Sequence, residues 1–263
     1  MKAQTCKDFE WIVVDDGSTD GTEAVVRSFL EEGLLDIRYF RQENGGKHRA
    51  INRGVKEARG ELFFIIDSDD YIKENAISSI INHYSLVSGD KTFAGVCAMK
   101  CYDNGKRIGG DVDFIQLECN LFRFRHILGI KGDISEICRT DILRDFPFPE
   151  IEGENFCPEA IVLYRISQVG YKFLYYNECI SICEYIEGGL SDRITEIRIK
   201  SPVSSSLTYY ELWNSPTTIK RRIRGAINFW RFYFHCAKDR RPSKRPCLIF
   251  KPIGYLLYIK DKR

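Results

Sequence analysis

The first seventy residues alternate short apolar runs with amphipathic ones in a regular order. Residues 9–14 are aromatic and β-branched and stop at Asp15-Asp16-Gly17-Ser18, the pattern of a buried strand entering a turn. A helix is expected next: Ser18, Thr19 or Asp20 can cap it, Ala24, Val25, Phe29 and Leu30 form its apolar stripe, and Gly33 ends it. Residues 37–40 read as a second strand. Asn44-Gly45-Gly46 then opens a second helix, with Ala50, Ile51, Val55 and Ala58 inward and Lys47, Arg49, Arg53, Lys56 and Arg59 outward. Residues 62–66 are five consecutive apolar side chains, expected as a strand buried on both faces, and they break off at Asp67-Ser68-Asp69-Asp70. Strand, helix, strand, helix, strand in this space predicts a parallel α/β sheet with helices on its faces.

The middle is less regular. Residues 93–102 and 113–117 read as strands, residues 134–138 as another, and residues 171–185 are rich in strand formers. A Ser/Thr-rich stretch at 201–208 reads as a looser connection to a basic tail, so the expected division is a domain over 1–195 and an extension over 196–263. Composition places the chain among ordinary globular proteins: 263 residues, 44% hydrophobic and 29% charged. No apolar run reaches the ~20 residues of a spanning helix. Ten scattered cysteines form no C-x-x-C pair, which argues against a zinc site or a disulfide scaffold. The start lacks the apolar core of a signal peptide, so the expected compartment is the cytoplasm.

The net charge of +2 conceals a division. Residues 217–263 hold 14 Lys/Arg and two acids, Asp239 and Asp261, leaving residues 1–216 acidic. Ile219, Ile223, Ala226, Ile227, Trp230 and Phe234 recur at helical spacing among these cations. They describe a basic amphipathic helix, whose stripe either meets an anionic membrane surface, with residues 217–259 as the docking segment, or packs on the catalytic domain. Residues 247–259 are apolar but broken by Lys251, Pro252 and Gly254, too interrupted to span. Nucleic acid is not expected as a partner, because the basic charge lies in one terminal segment without a base-stacking platform.

In open α/β sheets, ligands bind beyond the carboxyl ends of the strands. Two predicted strands deliver acids there, Asp15-Asp16 and Asp67-Ser68-Asp69-Asp70. Carboxylates on a common rim repel unless a cation or hydrogen-bond donors sit among them, and a hard divalent ion, Mg²⁺ or Mn²⁺, bridging carboxylate and ligand phosphate would answer that. An Asx turn or helix cap explains Asp15 or Asp16 equally well, but it explains only one aspartate of the second group.

The run Asp8-Phe9-Glu10-Trp11-Ile12-Val13-Val14-Asp15-Asp16-Gly17-Ser18-Thr19-Asp20-Gly21-Thr22 comes first. Asn44-Gly45-Gly46-Lys47 follows, before a helix carrying Asn52 and Gly54, and then Gly60-Glu61 and an apolar strand into Asp67-Ser68-Asp69. In order and spacing this resembles a family 2 glycosyltransferase of the GT-A fold, an α/β, Rossmann-like, mostly parallel sheet flanked by helices. The resemblance implies a sugar moved from a nucleotide-sugar, usually a UDP-sugar, to a glycan or lipid-linked acceptor in cell-surface polysaccharide synthesis, with inversion. By the same resemblance Asp15 and Asp16 meet the nucleotide, Asp16 at the base, and Lys47 lies near it. Asp67, Ser68 and Asp69, with Asp70 adjacent, hold ribose and the Mg²⁺ or Mn²⁺ that binds the diphosphate. Relatives carry an acidic pair about seven residues before an arginine. Here Pro158-Glu159 precedes Arg165, which makes Glu159 the expected base and Glu154 its competitor. The loop at 185–191 resembles one that closes over donor or acceptor, and is equally a turn.

Relatives also begin with a strand of the type Val-Ser-Val-Ile-Ile-Pro-Thr-Tyr-Asn, normally central in the sheet, which has no counterpart here. Its absence predicts a gap between neighbouring strands. The competing reading is a catalytically silent nucleotide-sugar-binding or membrane-docking module. A dinucleotide-dependent oxidoreductase is disfavoured, since no G-x-G-x-x-G follows the first strand.

Overall fold

The computed structural model describes residues 1–183 and 193–263, so the predicted closing loop at 185–191 lies outside the described residues. The chain begins β1 (Trp11–Asp15), α1 (Thr22–Glu32), β2 (Ile37–Arg41), α2 (Lys47–Glu57) and β3 (Leu62–Phe64), the order that the hydrophobic pattern predicts. It continues β4 (Asp70–Ile72), α3 (Ala76–Ser85), β5 (Phe93–Cys101), β6 (Gln116–Cys119), β7 (Ile134–Arg139), α4 (Thr140–Asp145), α5 (Ala160–Gln168) and β8 (Lys172–Cys183). Four helices follow: α6 (Ile194–Lys200), α7 (Pro202–Asn214), α8 (Ile219–Tyr233) and α9 (Lys251–Asp261).

The main sheet has the order β3-β7-β5-β8-β4, with β6 also paired to β8. β5 and β8 are parallel, and β7 runs antiparallel between β3 and β5, so β3, β5 and β8 share one direction; β4 and β6 run against β8. All nine residues of β5 are buried, because both its edges are paired and both its faces are covered. On one face Cys97, Met99, Phe173 and Tyr175 pack with Ile51 and Val55 of α2 and Ile161, Val162 and Ile166 of α5. On the other, Val96, Ala98, Leu174 and Ile180 pack with Ala76, Ile80 and Tyr84 of α3. This is the α/β arrangement, a central sheet flanked by helices.

β1 and β2 stand apart as a parallel pair, Trp11 opposite Ile37 and Asp15 opposite Arg41, and are not hydrogen-bonded to the main sheet. The gap expected from the motif comparison is therefore seen: β3 ends one edge of the main sheet, and α2 packs on β1 while contributing to the core over β7 and β5. Being an edge strand, β3 is half-buried throughout rather than covered on both faces.

One further expectation is corrected and two are refined. The Ser/Thr-rich stretch is not a loose connection but lies in α7, where Ser204, Ser205 and Ser206 are fully buried. Ser206 Oγ donates to the Pro202 carbonyl and Thr208 Oγ1 to that of Ser204, so these hydroxyls bond within the helix and their small side chains permit close packing. The stripe of α8, for which a membrane surface and packing were both open, is partly covered: Ala226 and Trp230 are buried together with Phe229 and Phe232, α8 packing between α7 and α9, while Ile219 is exposed. Each large side chain so buried stabilises the fold by roughly 2–3 kcal/mol. Finally, Cys101 and Cys179 form a disulfide, brought within 5.8 Å between Cα atoms by the pairing of β5 with β8, a register that residue spacing alone does not reveal. No helix among the described residues is long and apolar enough to cross a membrane.

α8 and α9 meet at Gly254. A Cβ there would lie 2.3 Å from the Trp230 Cβ and 2.9 Å from both the Arg231 nitrogen and the Ile227 carbonyl oxygen, so the helices touch backbone to backbone.

Candidate functional site

Asp15 ends β1 and is buried. Its carboxylate accepts from the Ser18 backbone N–H at 2.7 Å and from the Tyr39 hydroxyl at 2.6 Å. Burial alone would raise its pKa, but the Tyr39 and Ser18 bonds outweigh that and hold it below the usual value. Asp15 thus closes the turn after β1. Asp16 reaches the next loop instead: Oδ1 accepts from the Gln42 side-chain amide at 2.8 Å and the Gly45 N–H at 3.0 Å, and Oδ2 from the Gly46 N–H at 2.7 Å. Gly46 has φ +93°, and a Cβ on it would sit 1.9 Å from the Asn155 carbonyl oxygen. Only glycine meets both demands, and it lets the 150–155 segment lie against the loop that starts α2.

Side chains of α2 hold the neighbouring segments in place. Asn52 Nδ2 donates to the Phe148 carbonyl at 2.9 Å and to Glu150 at 2.7 Å, and Arg49 Nη2 donates to the Ile151 carbonyl at 2.8 Å. At the first residue of the helix, the Lys47 ammonium lies 2.5 Å from Asp67 Oδ1 and 2.7 Å from Glu159 Oε1. Burial works to strip that charge, but Glu159 and then Asp67 outweigh it, so Lys47 holds its proton more firmly than an ordinary lysine. The Lys47 cation therefore joins two other predicted site residues, Asp67 and Glu159, from separate parts of the chain. A cavity of about 430 Å³ opens between the 43–45 loop and the 150–155 segment, lined by Glu43, Asn44, Gly45, Arg49, Glu150 and Glu152 among others.

The remaining candidates divide. Glu159 stands at the start of α5, half-exposed. Glu154 is buried and turned away: its two oxygens accept from the Val203 and Ser204 N–H groups at 2.7 and 2.8 Å, capping α7 in place of a side-chain bond from Ser201. A carboxylate so bonded is not placed to take a substrate proton, which corrects its candidacy as the base. Asp70 is likewise drawn off, bonded at 2.9 Å to Lys100, whose ammonium also meets Asp133 at 3.1 Å. Ser68 and Asp69 are exposed in the turn between β3 and β4.

No group of three or more His, Cys, Asp or Glu side chains assembles a metal site among the described residues. Asp67 and Asp69, two positions apart in the chain, are the kind of oxygen donor that a hard cation of the Mg²⁺ or Mn²⁺ type takes together with substrate phosphate oxygens, with Asp67 Oδ1 paired to Lys47. Asp70, committed to Lys100, does not join that set.

A model of the glycosyl transferase family 2 domain matches residues 1–144, more than half of the sequence. The chain belongs to glycosyl transferase family 2. The matched region contains Asp16, Lys47 and Asp67 to Asp70 and stops short of Glu159. The glycosyltransferase GlyG of Streptococcus pneumoniae is 42% identical over 78 residues, a match spanning 29% of this chain and 26% of GlyG. An uncharacterized glycosyltransferase of Haemophilus influenzae is 24% identical over 233 residues, covering 85% of this chain and 81% of that protein. Among solved structures, Staphylococcus aureus TarS 1–349 in complex with UDP shares the fold with a TM-score of 0.60 at 19% identity, over 90% of this chain and 67% of the other. The same TarS region in complex with UDP-GlcNAc gives 0.60 at 19%, over 97% and 73%.

Two residues of this family 2 chain escape a reading of its motifs. His48, next to Lys47, is buried with both ring nitrogens lacking a partner among the described residues, and its pKa is lowered by burial and then by Arg49. Its spacing from Ile51 and Val55 already puts it on the apolar stripe of α2. Glu136 lies on the face of β7 shared by Ile134 and Cys138; burial, and then Asp133, push its carboxyl up to about 8. The signal was available as one charged side chain at an inward position of an otherwise apolar alternation.

Proposed function

We propose that this chain transfers a sugar from a UDP-sugar to a hydroxyl of a glycan or lipid-linked acceptor in cell-surface polysaccharide synthesis, inverting the anomeric centre. The observation that carries the reading is the Lys47 ammonium held between Asp67 and Glu159, which gathers a donor-side acid and a candidate base at one point. That UDP and UDP-GlcNAc are bound in TarS makes uridine the nucleotide to test first.

Glu159, half-exposed at the start of α5, takes the proton from the acceptor hydroxyl. The acceptor oxygen then bonds to the anomeric carbon as the bond to the diphosphate oxygen breaks on the opposite side, releasing UDP. Lys47 supplies positive charge to the departing diphosphate, and Asp16 keeps the 44–46 loop in the shape that receives the nucleotide. A Mg²⁺ or Mn²⁺ ion, held by Asp69 with Asp67, would neutralise charge on the diphosphate.

The second reading, a silent binding module, draws on the same ion pairs, since Lys47 neutralises both acids. Calorimetric titration with UDP, with and without Mn²⁺, combined with UDP release from a panel of UDP-sugars separates the two. Metal-dependent binding lost in Asp69→Ala, with sugar-dependent UDP release, supports the transferase. Binding without release from any donor and acceptor combination supports the module, and failure of a folded sample to bind UDP at all removes both.

A further inference from the structure

The end of the chain carries a surface that glycosyl transfer does not use. After α8 the chain passes Pro242 and Pro246, makes a 3₁₀ turn at Leu248–Phe250 and enters α9. The inner edge of α9 is fully engaged: Gly254 lies on the backbone of α8, the Tyr258 ring meets His235 edge-on, and Asp261 pairs with Arg231 and His235. The outer edge is aliphatic. Ile249, Ile253 and Leu256 succeed one another at the four- and three-residue steps that keep to one side of a helix, and Leu248 adjoins them. They are 71%, 47%, 68% and 64% exposed respectively, and nothing among the described residues covers them.

This outer edge is rimmed by one sign of charge. Residues 238–263 hold nine Lys/Arg and two acids, of which Asp261 is already consumed inside the α8–α9 contact. Lys260 falls on the same helical side, four residues after Leu256, and Lys244 is exposed in the segment before it, whereas Lys251 and Lys262 lie over the rings of Trp230, Phe234 and Tyr258. The charge decides between occupants. A two-fold contact with a second copy would set this basic rim against itself. An anionic bilayer meets both features, because its interface accepts aliphatic side chains while its phosphates face the cations.

We propose that the Leu248 to Leu256 face docks on an anionic lipid surface, with α9 lying in the plane of the interface and its lysines on lipid phosphate. Upstream of this face, Arg240 Nη1 donates to the Glu152 carbonyl at 2.6 Å, and Glu152 lines the cavity together with Gly45 and Arg49. The inference stands apart from the transferase reading, because lipid binding requires neither donor nor turnover.

The test is co-sedimentation of the full chain with vesicles of phosphatidylcholine alone and of phosphatidylcholine with phosphatidylglycerol at 7:3, a composition of about 30% anionic lipid. The expected result is binding at least ~10-fold tighter to the anionic vesicles, weakened in high salt. Ile249→Ser with Leu256→Ser, and separately Lys244→Glu with Lys260→Glu, should each lower it by ~10-fold or more while leaving the thermal midpoint near the parent's, as expected of exposed positions. Equal binding to neutral and anionic vesicles, no binding, or binding untouched by both pairs of substitutions overturns the proposal. So does a dimer in lipid-free solution that Ile249→Ser with Leu256→Ser dissociates, which would give the face to a second copy.

Discussion

Glu154 and Glu159 lie five residues apart and face different partners, one the start of α7, the other the lysine that begins α2. Their substitutions should separate accordingly. Glu159→Gln is expected to cut turnover by about 10²–10⁴-fold with UDP affinity largely retained, as for loss of a general base. Glu154→Gln should instead lower stability by about 1 kcal/mol, one oxygen acceptor of the α7 cap being lost, with little change in turnover of the folded fraction. Steady-state kinetics beside a denaturant melt reads both; a large turnover defect in Glu154→Gln would return it to candidacy. Lys47→Met leaves Asp67 and Glu159 without their shared cation, so affinity for UDP should fall by roughly tenfold or more, measurable by calorimetry. The sequence could place Asp16, Lys47 and Asp67 on one rim from strand ends and a glycine loop. It could not choose between two glutamates in the same acidic stretch, because what distinguishes them is α7, forty-nine residues downstream of Glu154.

Elements are legible where periodicity and punctuation agree, and obscure where packing overrides both. The run from β1 to β3 has clear turn residues between its segments, and the structure keeps to their order, although in α1 it is Val26 that is buried while Val25 and Leu30, expected on the apolar stripe, are exposed. α7 was hidden because serine suggests a linker, yet a buried serine whose hydroxyl bonds back to its own helix is simply a small side chain. α9 was hidden by Pro252 and Gly254, but proline is accepted in a helix's first turn. What fastens α9 is Asp261. Burial alone would raise its pKa; Arg231 and His235 more than reverse this, so the folded carboxyl titrates below its ordinary value. A depressed folded pKa gives stabilisation that is complete above the unfolded pKa, near 4, and is lost as pH falls through the folded one. Asp261→Asn should therefore cost about 1–3 kcal/mol at pH 7 and progressively less below about pH 4, as read from melts of both proteins across that range. In the 44–46 loop, Gly46→Ala combines a positive φ with a Cβ placed on the Asn155 carbonyl, so a loss of more than ~1 kcal/mol is expected in the same melts, together with weaker UDP binding.

At the scale of the molecule, stability is distributed unevenly. β5 is paired on both edges and buried along its length, whereas β1 and β2 form a two-stranded sheet whose core-facing support comes through helices. Native-state hydrogen exchange should find the slowest amides in β5 and β8 and distinctly faster ones in β1 and β2; uniform protection across both sheets would contradict this. The separation of the sheets was foreseeable from the motif order. The reversed course of β7 and the Cys101–Cys179 bond were not, since strand direction and register depend on contacts between segments far apart in the chain. The close crossing of α8 and α9 has a consequence for how freely the chain can vary. If every position of α9 were randomised and folded variants recovered, Ile253, Tyr255 and Leu256 would tolerate many replacements, while position 254 would return its original residue almost alone, a single column of invariance with no ligand or reaction to explain it.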